Sequence, residues 1–229
     1  MIKRFTLLCA GLIAASPLLA TIAPAQNSAG LFGSLEIASQ DLSALPQWTR
    51  ALQGRLELDQ ASRECDADIL KCASQQMTLW RTKIQELEYV DKSIKMRQIN
   101  RFINKWQHST DKAIYGKDDY WATPLEFITN GGDSEDFATM KYISLRELGF
   151  SALQMRIVLT NDVLRGTTHT ILSVKLNSKS YILDSQNDTV LQEEFVKYYV
   201  PLYSANETTR WAHIPSQFSN LGDAAGAKQ

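Results

Sequence analysis

Cysteine and histidine are scarce in this chain, three of each among 229 residues. A framework of several disulfides is therefore excluded, and no cluster of Cys and His marks a zinc site. Surplus positive charge is missing too. Lys and Arg number 24 against 25 Asp and Glu, for a net charge of −1. No basic patch stands out, which argues against nucleic acid as a partner. Beyond Ala25 no apolar run is long enough to span a bilayer. No internal repeat or low-complexity segment occurs. What remains is an ordinary globular composition, 44% hydrophobic and 21% charged, long enough to bury a sizeable core.

The N-terminus reads MIKRFTLLCAGLIAASPLLATIAPAQ. Lys3 and Arg4 form a short positive region, and Phe5 to Ala20 an apolar one broken by Gly11 and Pro17. Ala23-Pro24-Ala25 fits the small-x-small cleavage rule. This predicts an export leader over residues 1–25, cut before Gln26, in preference to a membrane anchor. Loss of Lys3 and Arg4 takes the net charge to −3. Export to an oxidising compartment bears on Cys65 and Cys72 in ECDADILKC. At that spacing they read first as a disulfide, with two buried thiols on one helix face as the alternative.

Gln26 to Gly33 is small and polar and is expected to be mobile. From LSALPQW onward the apolar spacing is helical, with Trp48, Leu52, Leu56 and Leu58 near one face. Ile94, Ile99, Phe102, Ile103 and Trp106 form a second stripe, predicted to face the core. Thr123, Pro124 and Glu126 make a capping box with proline at the first helical position, and Gly131-Gly132 end that helix. Asp133 then caps a helix over SEDFATMKYISLRELGF. Its residues Phe137, Met140, Ile143, Leu145 and Leu148 are predicted to be buried, and Gly149 stops it. The period then changes: MRIVLT, HTILSVKLN and YILDSQ read as strands, with Asn177-Ser178 as a two-residue turn between the last two. Residues 216–229 read as a flexible tail. Helices followed by an antiparallel sheet make an α+β domain over residues 26–215.

Three positions invite chemistry together. Ser134 stands in the first turn of the buried helix, where free N–H groups favour negative charge on a nucleophile. His169 begins a strand and Asp184 lies on the next. With a two-residue turn, residue 171 pairs with 184, which makes His169 the diagonal neighbour of Asp184 on one face. A nucleophile, a base and an orienting carboxylate would suit acyl transfer. Taken singly, a serine cap, a strand histidine and a turn aspartate have plainer explanations, and the residues alone leave both open. His108 and His213 lie in polar surroundings with no evident partner.

LSALPQW, INRFINKW, DDYWATPLEFITNGGDSEDFATMKY, LRELGF, THTILSV and YILDSQ resemble the bacterial transglutaminase-like cysteine peptidases, a family that includes the periplasmic LapG-type proteases. The likeness runs from about Leu31 to about Trp211, and its specific part is Asp119 to Tyr142. It implies a papain-like, transglutaminase-type fold with a Cys–His–Asp triad whose positions fall at Ser134, His169 and Asp184. It implies calcium held by Asp133 and Glu135, with Asp136 as a further ligand, although the same acids would also favour a helix N-terminus by themselves. It implies a protein substrate, the N-terminal segment of a large surface adhesin whose release loosens biofilm. The implied restraining partner is an inner-membrane cyclic di-GMP receptor of LapD type. Ser134 departs from the pattern, so peptidase activity is expected to be impaired. The alternatives are a non-catalytic module that binds an adhesin or receptor segment, and a transamidase.

Overall fold

A computed structural model describes residues 30–215; the predicted leader and tail lie outside the described residues. A one-turn helix at Leu31–Gly33 opens the described chain and leads into strand β1 (Leu35–Ser39). Seven helices follow: α1 (Pro46–Gln53), α2 (Arg55–Ala67), α3 (Gln75–Leu87), α4 (Lys92–Ile103), α5 (Asp111–Tyr115), α6 (Pro124–Asn130) and α7 (Ser134–Glu147). Six strands complete the domain: β2 (Met155–Asp162), β3 (Thr167–Leu176), β4 (Lys179–Asp184), β5 (Asn187–Gln192), β6 (Tyr199–Ala205) and β7 (Arg210–Ile214). They form one seven-stranded sheet in the order β1-β7-β6-β2-β3-β4-β5, every pair antiparallel. The α+β plan read from the sequence is the observed one. No helix of the described residues is long and apolar enough to cross a membrane.

Helix α7 is the axis of the domain. It packs on β3 and is flanked by α4 and α6, and every residue from Asp136 to Leu145 is buried. Its apolar positions face the core as predicted, yet Lys141 and Ser144 are buried with them. A helix enclosed on all sides carries its polar residues inward and must find them partners. Ser144 manages this, accepting from Trp80 Nε1 at 2.9 Å and donating to Met140 O at 2.7 Å.

The capping box at α6 is present. Glu126 accepts from the Thr123 N–H at 2.7 Å, and Thr123 Oγ1 accepts from the Glu126 N–H at 3.3 Å, with Pro124 at the first helical position. The β3–β4 turn has the predicted register, with Leu176 opposite Lys179 and Leu172 opposite Leu183. Asn177 and Ser178 both take positive φ, as a two-residue hairpin turn that matches the right-handed twist of its strands requires. Cys65 and Cys72 are joined in a disulfide that ties the end of α2 to the turn after it.

Several expectations need correction. Leu56 is 76% exposed and Ile94 41% exposed, while Lys95 and Met96 lie inside instead. The rest of each stripe turns inward as expected: Trp48 and Leu58 in the first, and Ile99 and Ile103 in the second, are buried. Leu31, placed in a mobile segment, is buried against Val158 and Ile171. Strands β1, β5, β6 and β7 carried no strand signal. In β6 the proline at 201 sits beside the register shift between Leu159 and Thr160, where the ladder tolerates a missing N–H.

Candidate active site

Two glycines set the entry to α7. Gly131 has a positive φ, and a Cβ there would collide with Gln107 O. A Cβ on Gly132 would collide with the Asp136 carboxylate. This close approach lets the 107–109 segment lie alongside: Gly132 N donates to Gln107 O at 3.2 Å, and Ser109 N donates to Gly132 O at 2.9 Å. The bridge brings Asp111, which begins α5, to the foot of α7. Asp133 adopts an extended conformation before the helix, and its N–H donates to Asp136 Oδ2 at 3.3 Å.

Ser134 and His169 line one cleft, and Asp184 is buried behind His169. Ser134 is half-buried; its Oγ accepts from the Thr170 N–H at 3.1 Å and donates to Glu135 Oε2 at 3.2 Å. The nucleophile position is thus held against β3 by the residue next to His169. His169 is 4% exposed, with Nε2 2.8 Å from Asp184 Oδ1. Its ring stacks on Tyr199, centroids 5.6 Å apart. Asp184 also accepts from the Gln186 N–H at 2.9 Å and from Tyr199 Oη at 2.7 Å. Burial pushes the Asp184 carboxyl up, but the hydrogen bond and charge of His169, with the donors Gln186 and Tyr199, outweigh it and hold the group below its ordinary value. When the imidazole carries a single proton, an ionised Asp184 holds it on Nε2 and leaves Nδ1 as the accepting nitrogen.

The cleft, about 590 Å³, is lined by His108, Asp111, Asp119, Ser134, His169 and Gln186 among others. No cysteine lines it; among the described residues Cys65 and Cys72 are bonded to each other.

The acids are arranged differently from their order in the chain. Asp133, Glu135 and Asp136 do not form one group of three. Carboxylate oxygens of Asp111, Asp133 and Asp136 lie within 4.8 Å of one another, and those of Asp111, Asp119 and Glu135 form a second such set. Asp111 joins the two. Asp111 and Asp119 carried no signal in the sequence, since Asp111 lies far ahead of Asp133 and meets it only through the Gly132 bridge. Asp136 is partly a structural anchor, because its Oδ1 accepts from the Ala122 N–H at 2.7 Å. Asp111 Oδ1 and Asp133 Oδ1 are buried without a hydrogen-bond partner. Burial, and then the neighbouring Asp133, pushes the Glu135 carboxyl well up; burial chiefly, with Asp133 and Asp111 adding, takes Asp136 to about 8. Orphaned carboxylate oxygens in a crowded acidic group fit a hard divalent cation with oxygen ligands.

The remaining histidines have partners after all. His108 stacks on Phe137, centroids 4.0 Å apart. His213 is buried away from the cleft, Nδ1 2.7 Å from Ser34 Oγ and Nε2 2.8 Å from Ser204 Oγ. Its partners come from segments that the sequence did not disclose.

Comparison with known proteins agrees with this geometry. LapG from Legionella pneumophila superposes with a TM-score of 0.59 at 28% identity, over 74% of this chain and 94% of that one. Its calcium-bound form gives 0.55 at 30% identity over 66% and 90%, and its EGTA-treated form 0.58 at 28% over 73% and 94%. No match is found among the curated proteins. The sequence model of one family, described as bacterial transglutaminase-like cysteine proteinase, matches residues 59–218. With a buried His–Asp pair facing the first turn of an enclosed helix in a fold shared with LapG, this chain belongs to the bacterial transglutaminase-like cysteine proteinases.

Proposed function

We propose that this chain is by descent a periplasmic, calcium-dependent endopeptidase of LapG type, disabled at its nucleophile. The observation that carries the reading is the His169–Asp184 pair, 2.8 Å long and buried, beside Ser134 at the N-terminus of α7. In the catalytic form of such a site a thiol at position 134 gives its proton to His169 Nδ1 and attacks the scissile carbonyl. Asp184 holds the imidazole, and the N–H groups of the first turn of α7 face the developing oxyanion. Serine lacks the low pKa of a thiol, so His169 must remove its proton during attack. Oxygen in a site shaped for sulfur also stands off line, and a misplacement of ~1 Å costs about 10²-fold.

Asp111, Asp133, Glu135, Asp136 and Asp119 are the residues that would hold calcium, and two of their buried oxygens have no other partner. Bound there, the ion would supply positive charge that neutralises the acids packed around the nucleophile. A relative solved with calcium bound supports this assignment.

The substrate we propose is the N-terminal segment of a large surface adhesin, and the regulator an inner-membrane cyclic di-GMP receptor of LapD type. The second reading is a binding module that holds such a segment without cutting it. It is favoured by Ser134 itself, since His169 and Asp184 are intact around a site that lacks only its sulfur. Transamidation would use the same three residues and is the weaker alternative.

The test compares the leaderless chain with its Ser134→Cys variant on an adhesin N-terminal fragment, with calcium or with chelator. Cleavage by the Cys variant alone, and only with calcium, is the expected result. Comparable cleavage by the Ser form would overturn the impairment. Binding without cleavage by either form would favour the module.

A further inference from the structure

A neutral imidazole offers one N–H and one lone pair. Asp184 takes the N–H of His169 at Nε2, so the lone pair that must receive the nucleophile's proton lies on Nδ1. That lone pair is already engaged. Gln186 Nε2 stands 3.3 Å from Nδ1, and with Nε2–H of the imidazole committed to Asp184 the amide can only be the donor. Ser134 meanwhile directs its hydrogen at Glu135 and receives the Thr170 N–H. The main chain of Gln186 is tied to the same machinery, its N–H donating to Asp184 Oδ1 at 2.9 Å. Its side chain is exposed at the rim of the cleft. The residue is therefore anchored at its backbone while its amide is free to leave.

We propose that Gln186 is a further catalytic-site residue, whose side-chain amide caps the proton-accepting nitrogen of His169 in the free protein and must be displaced by the nucleophile before attack. The inference rests on the reading of His169 as the base. A hydrogen bond donated to a lone pair favours the unprotonated imidazole and opposes the imidazolium–thiolate pair that activates a cysteine. The cap thus keeps an unoccupied site quiet, and displacing it costs about one neutral hydrogen bond, on the order of three- to tenfold in the pairing equilibrium.

The experiment uses the full chain carrying Ser134→Cys, with calcium present. The rate at which iodoacetamide alkylates the introduced thiol is measured from about pH 5 to about pH 9. Gln186→Met, similar in length but without N–H groups, is expected to raise the rate near pH 6 by about three- to tenfold and to move the profile to lower pH. Gln186→Ala should do the same, since the backbone N–H to Asp184 remains. His169→Ala should abolish the low-pH reactivity. Superimposable profiles for the Gln186 variants and their parent, with reactivity still dependent on His169, would overturn the cap and leave the peptidase reading standing. Reactivity indifferent to His169→Ala would overturn both.

Discussion

Buried ionisable groups decide how individual residues respond to pH here. Burial pulls the His213 imidazole down to about 4, against the attraction of Glu36 and with the help of Arg156. The unfolded imidazole keeps its ordinary 6.5, so between these values only the unfolded chain takes the proton. The stability owed to the neutral ring is complete above about pH 6.5 and is lost as the pH falls towards 4. The loss amounts to about 3 kcal/mol at most. Thermal unfolding of His213→Gln should therefore weaken less steeply between about pH 7 and pH 4.5 than that of the parent; parallel curves would refute it. Lys141 shows the same sign at higher pH. Burial pulls its ammonium down to about 7, against Asp184 and Asp188, and its Nζ has no hydrogen-bond partner. The unfolded chain keeps that proton up to about 10.5, so stability should climb with pH above 7 relative to Lys141→Met. The gain by pH 9 is about 2 kcal/mol. Denaturant midpoints at the two pH values measure it. Neither the pocket of His213 nor the burial of Lys141 was legible locally. Lys141 sits on a helix that α4, α6 and the sheet enclose together, so no face is left for its ammonium.

At the level of elements, local chemistry decided more. The β3–β4 turn holds Ser178 at positive φ, a region that favours glycine. Ser178→Gly should stabilise the domain by about 0.5–1 kcal/mol, with no change in the His169–Asp184 pairing that the turn sets. A higher denaturation midpoint checks it, and a lower one would show that the serine side chain contributes more than its backbone strain. The capping box of α6, the glycine entry to α7 and this turn were all readable because each depends on residues within a few positions of one another. The strands β1, β5, β6 and β7 were not, and for β1 and β6 the reason is that their partners β7 and β2 lie far along the chain. β1 pairs with β7 across the whole domain, and β6 carries its proline beside a bulge.

For the molecule as a whole, the acidic group ties ligand binding to folding. Asp111, Asp133 and Asp136 repel one another when no cation is present, so binding a cation to the folded state alone raises its stability. Calcium at about a hundred times its dissociation constant should add roughly 2.7 kcal/mol and move the thermal midpoint by about 5–10 °C. Chelator should reverse the shift. Asp111→Asn should abolish it while leaving the calcium-free protein at least as stable, since one repelling charge is gone. A calcium response that survives this substitution would move the site elsewhere.

By itself the sequence determined the α+β plan, the helix that carries Ser134, and the hairpin register that pairs β3 with β4 and sets His169 against Asp184. Those features rest on periodicity and turn chemistry, which act over neighbouring positions. Tertiary structure alone decided that Asp111 and Asp119 complete the acidic group, that Thr170 holds Ser134, and that Tyr199 and Gln186 secure the His169–Asp184 pair. Most of these contacts join segments far apart in the chain. Even Gln186, so close in sequence to Asp184, meets His169 only once β3 and β4 have paired, because a side chain's partner in space leaves no local trace.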